Sequence, residues 1–380
     1  MLKSVILVCC WLLISCLPAE QSFDQTNWKD KVDALFDQFD LQTPGYAIGI
    51  SKNQQTLYQQ GYGSANLDYG LPITPQSAFS IASVSKQFTG AALALLIKEG
   101  KVSLDQPAKD FIPELAKYSD IILVKHLVYN TSGITDYPRL PRKDGKSWIT
   151  FNYFDIDECI EVSLSQEALL FTPGTRWDYC NVNFMLITKI VEQVSGQNFA
   201  EFMEAQLFAP LAMTNSLIHD DITQIIPNRV MPYNERTKEN IEGYKESGVM
   251  LNTEGKYIQH HRNAPHYGGS GVITTVEDLL KWSKNMDSKE FGGEEFYQLM
   301  HHTPKFKHDR NNQAFGLYLG DFNGHQIVAW DGGDWGISSQ LLRFPQQGVA
   351  IVVLSNLGSG ESYRKANQIA DILFEEGILE

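Results

Sequence analysis

Cysteine is scarce: the 380 residues contain five, and Cys9, Cys10 and Cys16 fall in the first twenty. The other two, Cys159 and Cys180, are too few for a disulfide framework, and a chain able to bury a large core needs none. A bridge between them and two isolated buried thiols both remain open, because spacing does not test geometry. Runs of Lys or Arg are also missing, and the formal net charge is −14. An acidic surface with no basic stripe repels phosphate backbones, which argues against a nucleic-acid partner. Neither an H-E-x-x-H motif nor a metal-spaced cysteine pair is present. His260-His261 and His301-His302 do not fill that gap, since adjacent histidines point in different directions; no metal is expected. "YGSANLDYG" and "HYGGSG" neither open a βαβ unit nor carry a P-loop lysine, so no nucleotide cofactor is expected; Gly268, Gly269 and Gly271 read as tight-turn residues. Repeats and low-complexity tracts are absent too. With 43% apolar and 20% charged residues, the chain is not a disordered one.

No apolar run reaches the ~20 residues of a spanning helix. The longest, "VILVCCWLLISCL", follows Lys3 and stops at Pro18. It reads as a secretory signal over residues 1–19, which predicts an exported bacterial protein, periplasmic or membrane-anchored. Leu13-Ile14-Ser15-Cys16 resembles a lipobox, which would put a lipid anchor on Cys16; an ordinary cleavage near Ala19 is the alternative.

From residue 20 onward one folded unit is expected. Val32, Leu35, Phe36 and Phe39 recur at helical spacing, predicting a helix over about 28–39. "YAIGIS" and "QTLYQQGYG" read as strands of a hairpin turning at Lys52-Asn53-Gln54. The segment after Ser77 turns helical, with Phe88, Ala92, Leu95 and Leu96 on one face and a stop at Gly100. "NFMLITKIVEQVSG" predicts a helix ending at Gly196. Near Gln313 the pattern changes to short β-rich runs, "QAFGLYLG", "HQIVAW", "GISSQLLRF" and "GVAIVVLSN". A last helix over 362–376 buries Ala366, Ile369, Ala370 and Leu373. The fold class is therefore α/β of the α+β type. An antiparallel sheet drawn from both chain ends (about 44–64 and 313–357) is flanked by helices, with a mostly helical insertion over about 84–290.

Ser83 and Lys86 form S-x-x-K at the start of an apolar helix, where residues three apart share a face and the amine reaches the hydroxyl. The positive helix end favours negative charge developing there. A serine hydroxyl needs a neighbour to take its proton, and a lysine can do so only with a lowered pKa. The motif alone is weak: Ser362-Tyr363-Arg364-Lys365 repeats it on a charged helix, where it reads as solvated surface. Tyr179-Cys180-Asn181, the only Y-x-N, adds a second element. A phenol beside a lysine ammonium is expected to have a lowered pKa and to shuttle protons, while the Asn181 amide binds a substrate carbonyl or holds Lys86.

Through these residues and the blocks around them, the chain resembles the serine β-lactamase and penicillin-binding protein superfamily, in its class C β-lactamase and esterase-like branch. "FSIASVSKQFTGAALALLIKEGKVSLDQP" resembles the nucleophile helix, "LVKHLVYNTSGITDY" the H-L-L-x-H-T-S-G segment, and "FTPGTRWDYCNVNFMLITKIVEQVSG" the F-x-P-G…Y-S-N stretch. "GGSGVITTVEDLLKW" resembles a later helix start, and "WDGGDWGISSQLLRFPQQGVAIVVLSN" the third motif and last strands. The blocks keep the family order over nearly the whole chain.

The resemblance implies a β-lactamase/transpeptidase-like fold with Ser83 as acyl-accepting nucleophile. Lys86 and Tyr179 become the proton-handling pair, with the first base left open. It also implies an oxyanion hole from the backbone N–H groups of Ser83 and Asp334. The third motif, normally K-T-G or H-x-G, reads Asp331-Gly332-Gly333. An aspartate there repels the carboxylate of penicillins or a D-Ala terminus. It favours neutral esters, amides, or substrates with a free amine, unless Arg343 restores the charge or Asp331 only braces a turn. Asn130 stands where His is common and reads as structural; Asn130-Thr131-Ser132 also fits an N-glycosylation sequon, irrelevant behind a bacterial leader. The expected function is a cofactor-free serine hydrolase acting on a small ester, amide or peptide. The competing readings are a non-catalytic peptidoglycan binder and a penicillin sensor that acylates without deacylating.

Overall fold

The computed structural model describes residues 26–252, 254–306, 311–358 and 361–379. The signal-like segment and Cys16 lie outside the described residues. Six antiparallel strands form the main sheet: β1 (Tyr46–Lys52), β2 (Gln55–Tyr62), β3 (Tyr318–Phe322), β4 (His325–Asp334), β5 (Ile337–Phe344) and β6 (Val349–Ser355). Their order across the sheet is β3-β4-β5-β6-β1-β2. Strands from the two ends of the sequence therefore meet at its centre, Tyr46 facing Ser355 and Lys52 facing Val349. The β1–β2 turn uses Asn53 (φ 48°) and Gln54 (φ 67°), a left-handed pair whose twist matches that of the flanking strands.

Alternation along the strands sorts side chains to two faces. Ile48, Ile50, Ile351 and Val353 pack beneath α1 (Thr26–Ala34) and the C-terminal α5 (Ser362–Glu375). Ala47, Val352, Leu354 and Leu341 face the larger core, shared with α2 (Lys86–Lys98), α3 (Asn181–Ser195) and α4 (Val276–Ser288). Gly49 marks how near α4 lies to β1: a Cβ there would fall 2.2 Å from Val276 Cγ1. Gly100 (φ 69°) and Gly196 (φ 70°) end α2 and α3 in left-handed conformations, as the sequence predicts. Ala366, Ile369, Ala370 and Leu373 of α5 are fully buried.

Three expectations need correction. The first helix stops at Ala34, and 35–39 continue in tight turns, Phe36 N–H to Asp33 O (2.8 Å) and Phe39 N–H to Phe36 O (2.9 Å). Those turns keep near-helical spacing, so Phe36 still stacks on Tyr62 and Phe39 still meets Tyr46. The insertion is less helical than expected. Stretches 140–155 and 165–180 are irregular, broken by Pro141, Gly145, Pro173 and Gly174. Side chains serve their carbonyls instead: Trp148 Nε1 donates to Leu140 O (2.7 Å) and Asn152 Nδ2 to Ser147 O (2.9 Å). Ser362 is buried rather than solvated, and Lys365 turns away to donate to Leu35 O (2.8 Å), so the second S-x-x-K forms no site. Cys159 and Cys180 are free buried thiols, which resolves the cysteine alternatives against a bridge.

Candidate active site

The chain enters the site through Ile81 and Ala82. Ala82 has φ 43°, a left-handed conformation unusual for a residue with a Cβ and characteristic of functional turns. Ala82–Ser85 is then a 3₁₀ turn that feeds α2 at Lys86. The sequence places Ser83 and Lys86 on an α-helical face; the 3₁₀ turn brings them closer still, because its i and i+3 side chains eclipse. Lys86 Nζ lies 3.1 Å from Ser83 Oγ. Strand β4 runs hard against this turn. A Cβ on Gly332 would sit 2.4 Å from Ile81 O and 3.0 Å from Ser83 N, and Ser339 Oγ donates to Ile81 O (2.7 Å).

Lys86 is completely buried. Besides Ser83, its Nζ meets Asn181 Oδ1 (2.8 Å) and Gly269 O (2.5 Å). Both of these only accept: Gly269 offers a carbonyl, and the Asn181 amide nitrogen is committed to Asp136 Oδ2 (2.8 Å). A neutral amine has two N–H bonds and one lone pair. Two acceptors on one side and a hydroxyl on the other match that valence, leaving the lone pair aimed at Ser83 O–H. Burial pulls the Lys86 pKa down to about 7, against the raising fields of Asp136 and Asp331.

Tyr179 and Asn181 stand at the entry to α3. The Tyr179 hydroxyl is 2.7 Å from Ser83 Oγ, and Lys86 Nζ is 4.7 Å from its ring centroid. The expectation of a lowered phenol pKa is overturned: burial pushes it well above the usual value, outweighing the lowering effect of the hydrogen bond shared with Ser83. Tyr179 therefore keeps its proton at rest. Of the two roles weighed for Asn181, the geometry fits the one that holds Lys86. Asp136, missed in the sequence, organises this corner. Buried at 4% exposure, it takes the Asn181 amide on Oδ2 and the Val182 N–H on Oδ1 (3.1 Å) at the start of α3. Its position just after "NTSGIT" was the available signal.

Asp331 and Gly333 line a cleft with Ser83, Tyr179, Trp177, Gln313, Tyr318 and Trp330. Asp334, on the opposite face of β4 from Asp331 and Gly333, points away from the cleft lining. The Asp334 carboxylate pairs with buried Arg262, whose other nitrogen donates to Ser270 Oγ (3.0 Å). Burial pushes that carboxyl up, but Arg262 more than offsets it and holds it below its usual range. Arg262 thereby ties the third motif to the loop that offers Gly269 to Lys86. Three of the four histidines considered for metal meet hydroxyls or a carbonyl: His260 meets Tyr244 OH (2.7 Å) and Thr150 Oγ1 (3.0 Å), His301 meets Tyr297 O, and His302 meets Tyr129 OH; His261 lies edge-on to Phe151.

A family model described as Beta-lactamase matches residues 32–374. The chain belongs to the Beta-lactamase family. It is similar to a D-aminopeptidase of Gluconobacter oxydans, 27% identical over 332 residues, covering 87% of this chain and 59% of that one. A D-aminopeptidase of Brucella ovis is 24% identical, covering 84% and 57%. This chain thus spans less than two thirds of the length of these relatives. Among solved structures, an octameric penicillin-binding protein homologue from Pyrococcus abyssi superposes with a TM-score of 0.76 at 23% identity, covering 93% and 77%. A D-amino acid amidase from Ochrobactrum anthropi SV3 gives 0.75 at 19%, covering 92% and 99%. At such identities the superpositions show the fold: a mixed α/β structure of the β-lactamase/transpeptidase type.

Against the Beta-lactamase family pattern, two departures now have structural context. Asn130 (φ 55°) is buried, its Oδ1 accepting from Cys180 N–H and Asn183 Nδ2, both at 3.2 Å. It is structural, as read, and in the folded chain it is closed to glycosylation. Arg343 does not restore a cation to the third motif: it is buried and paired with Asp287 (2.5 Å).

Proposed function

We propose that this member of the Beta-lactamase family hydrolyses amides and esters through an acyl-enzyme on Ser83. The observation that carries the reading is the setting of Lys86, buried, flanked by two acceptors and 3.1 Å from Ser83 Oγ. Neutral Lys86 takes the Ser83 proton as Oγ attacks the carbonyl. The backbone N–H groups of Ser83 and Asp334 are assigned to the oxyanion. As the C–N or C–O bond breaks, Tyr179 gives its proton to the leaving atom, and the Lys86 ammonium replaces it. Water then attacks the acyl-Ser83 ester, and its proton returns along the same pair. Names such as D-aminopeptidase and D-amino acid amidase among the relatives and structural neighbours support amides as the substrate class. The signal-like segment supports action outside the cytoplasm, free or tethered at Cys16, which cell fractionation of wild type and Cys16→Ala tests.

A fluorophosphonate probe tests the chemistry. Wild type is expected to label and Ser83→Ala is not. In a panel of p-nitrophenyl esters, amino-acid amides and a chromogenic cephalosporin, the first two are expected to turn over and the last only weakly. Failure of the folded wild type to label favours the non-catalytic binder instead.

A further inference from the structure

Asp331 is exposed in the same cleft as the nucleophile, yet its carboxylate has no hydrogen bond or ion pair among the described residues. A role bracing a turn is therefore unsupported: Asp331 lies within β4, opposite Gln340, and holds no turn amide. Four basic residues near the site are committed elsewhere. Lys86 is buried beneath Ser83, Arg262 pairs with Asp334, Arg343 with Asp287 and Arg139 with Asp178. A lone carboxylate beside the reacting carbonyl repels anions, and for a neutral substrate it adds only an ion to desolvate.

Its surroundings suit one class of ligand. Four aromatic rings, Trp177, Tyr179, Tyr318 and Trp330, wall the same cleft, and aromatic faces attract cations. Gln313, also in the wall, has a carboxamide oxygen with no hydrogen-bond partner among the described residues, a further acceptor for N–H donors. The geometry points to an ammonium subsite: Asp331, framed by these rings, holds the positively charged amine of an amino-acid-like substrate beside Ser83. This builds on the hydrolase reading by assigning its substrate class, amides or esters whose ammonium group lies near the scissile carbonyl.

The test separates the two readings because it needs no turnover. Trp177 and Trp330 supply a fluorescence signal in the cleft. Phenethylammonium and its neutral analogue 2-phenylethanol are titrated into the full chain as wild type, Asp331→Asn and Asp331→Ser. Wild type is expected to bind the ammonium at least about tenfold more tightly, a preference that weakens with added salt. Both variants are expected to bring the ratio to about one. Equal affinities in wild type, or a preference that survives in both folded variants, overturns the subsite. A chain that prefers ammonium but fails to label with fluorophosphonate loses only the hydrolase reading; one that labels without the preference loses only the subsite.

Discussion

The buried lysine leaves a mark on stability that can be read without any substrate. The Lys86 pKa falls from 10.5 to about 7 on folding, chiefly through desolvation. Below pH 7 both folded and unfolded chains hold the proton, and the destabilisation by a buried ammonium is at its fullest. Between 7 and 10.5 the unfolded chain binds more protons than the folded one, so stability rises with pH, by ~1.4 kcal/mol per unit at the steepest. From pH 7 to pH 9 the expected gain is about 2 kcal/mol. Lys86→Met removes the titration and keeps the volume. It also strands Gly269 O and Asn181 Oδ1, at about 1–3 kcal/mol each, a cost that does not change with pH in this window. The assay is urea unfolding of wild type and Lys86→Met at both pH values, comparing the two differences so that every other group cancels. Wild type should gain about 2 kcal/mol on the variant. A difference that stays flat refutes a neutral Lys86, and with it the choice of base.

Three further outcomes follow from the site. The kcat/KM of the wild type should rise with pH through an apparent pKa near 7, since the lysine works only after losing its proton; a fall over that range contradicts the assignment. Tyr179→Phe should slow amide hydrolysis by about 10²–10⁴ and p-nitrophenyl ester hydrolysis much less, because a nitrophenolate leaves without a proton; equal losses would remove Tyr179 from leaving-group protonation. Asp136→Asn should move the acid limb of the pH profile to lower pH, since Asp136 raises the Lys86 pKa, with a stability loss of about 1–3 kcal/mol from the weakened hold on Val182 and Asn181.

What the sequence reveals here is what local chemistry dictates. Ser83 and Lys86 are three residues apart, so one turn brings them together whatever the rest of the chain does. The sheet was legible because "YAIGIS" and "GVAIVVLSN" are apolar runs bounded by turn residues, and the left-handed pair at Asn53 and Gln54 seals the hairpin. Features set by tertiary packing were not. Gly269 serves Lys86 through a backbone carbonyl, which every residue has and no pattern marks. Asp136 looks like any loop acid until the start of α3 folds over it. The Tyr179 pKa was misjudged in sign because burial, invisible in a dipeptide, outweighs the hydrogen bond it shares with Ser83. Irregular stretches such as 140–155 escaped because their carbonyls are met by particular side chains rather than by a periodic ladder.

The meeting of β1 and β6 has a consequence for biogenesis. Residues more than 300 positions apart must pair, Tyr46 with Ser355, and long loops of this kind close slowly. While the chain is being made, the strand at 46–52 has β2 beside it but waits for β6 on its other edge until residues 349–355 emerge. The turn bearing Ser83 likewise lacks the backbone of Gly332 that presses against it. A ribosome-bound fragment ending before residue 325 should thus be both unfolded and inert, and reactivity should switch on only once residues 325–355 have emerged.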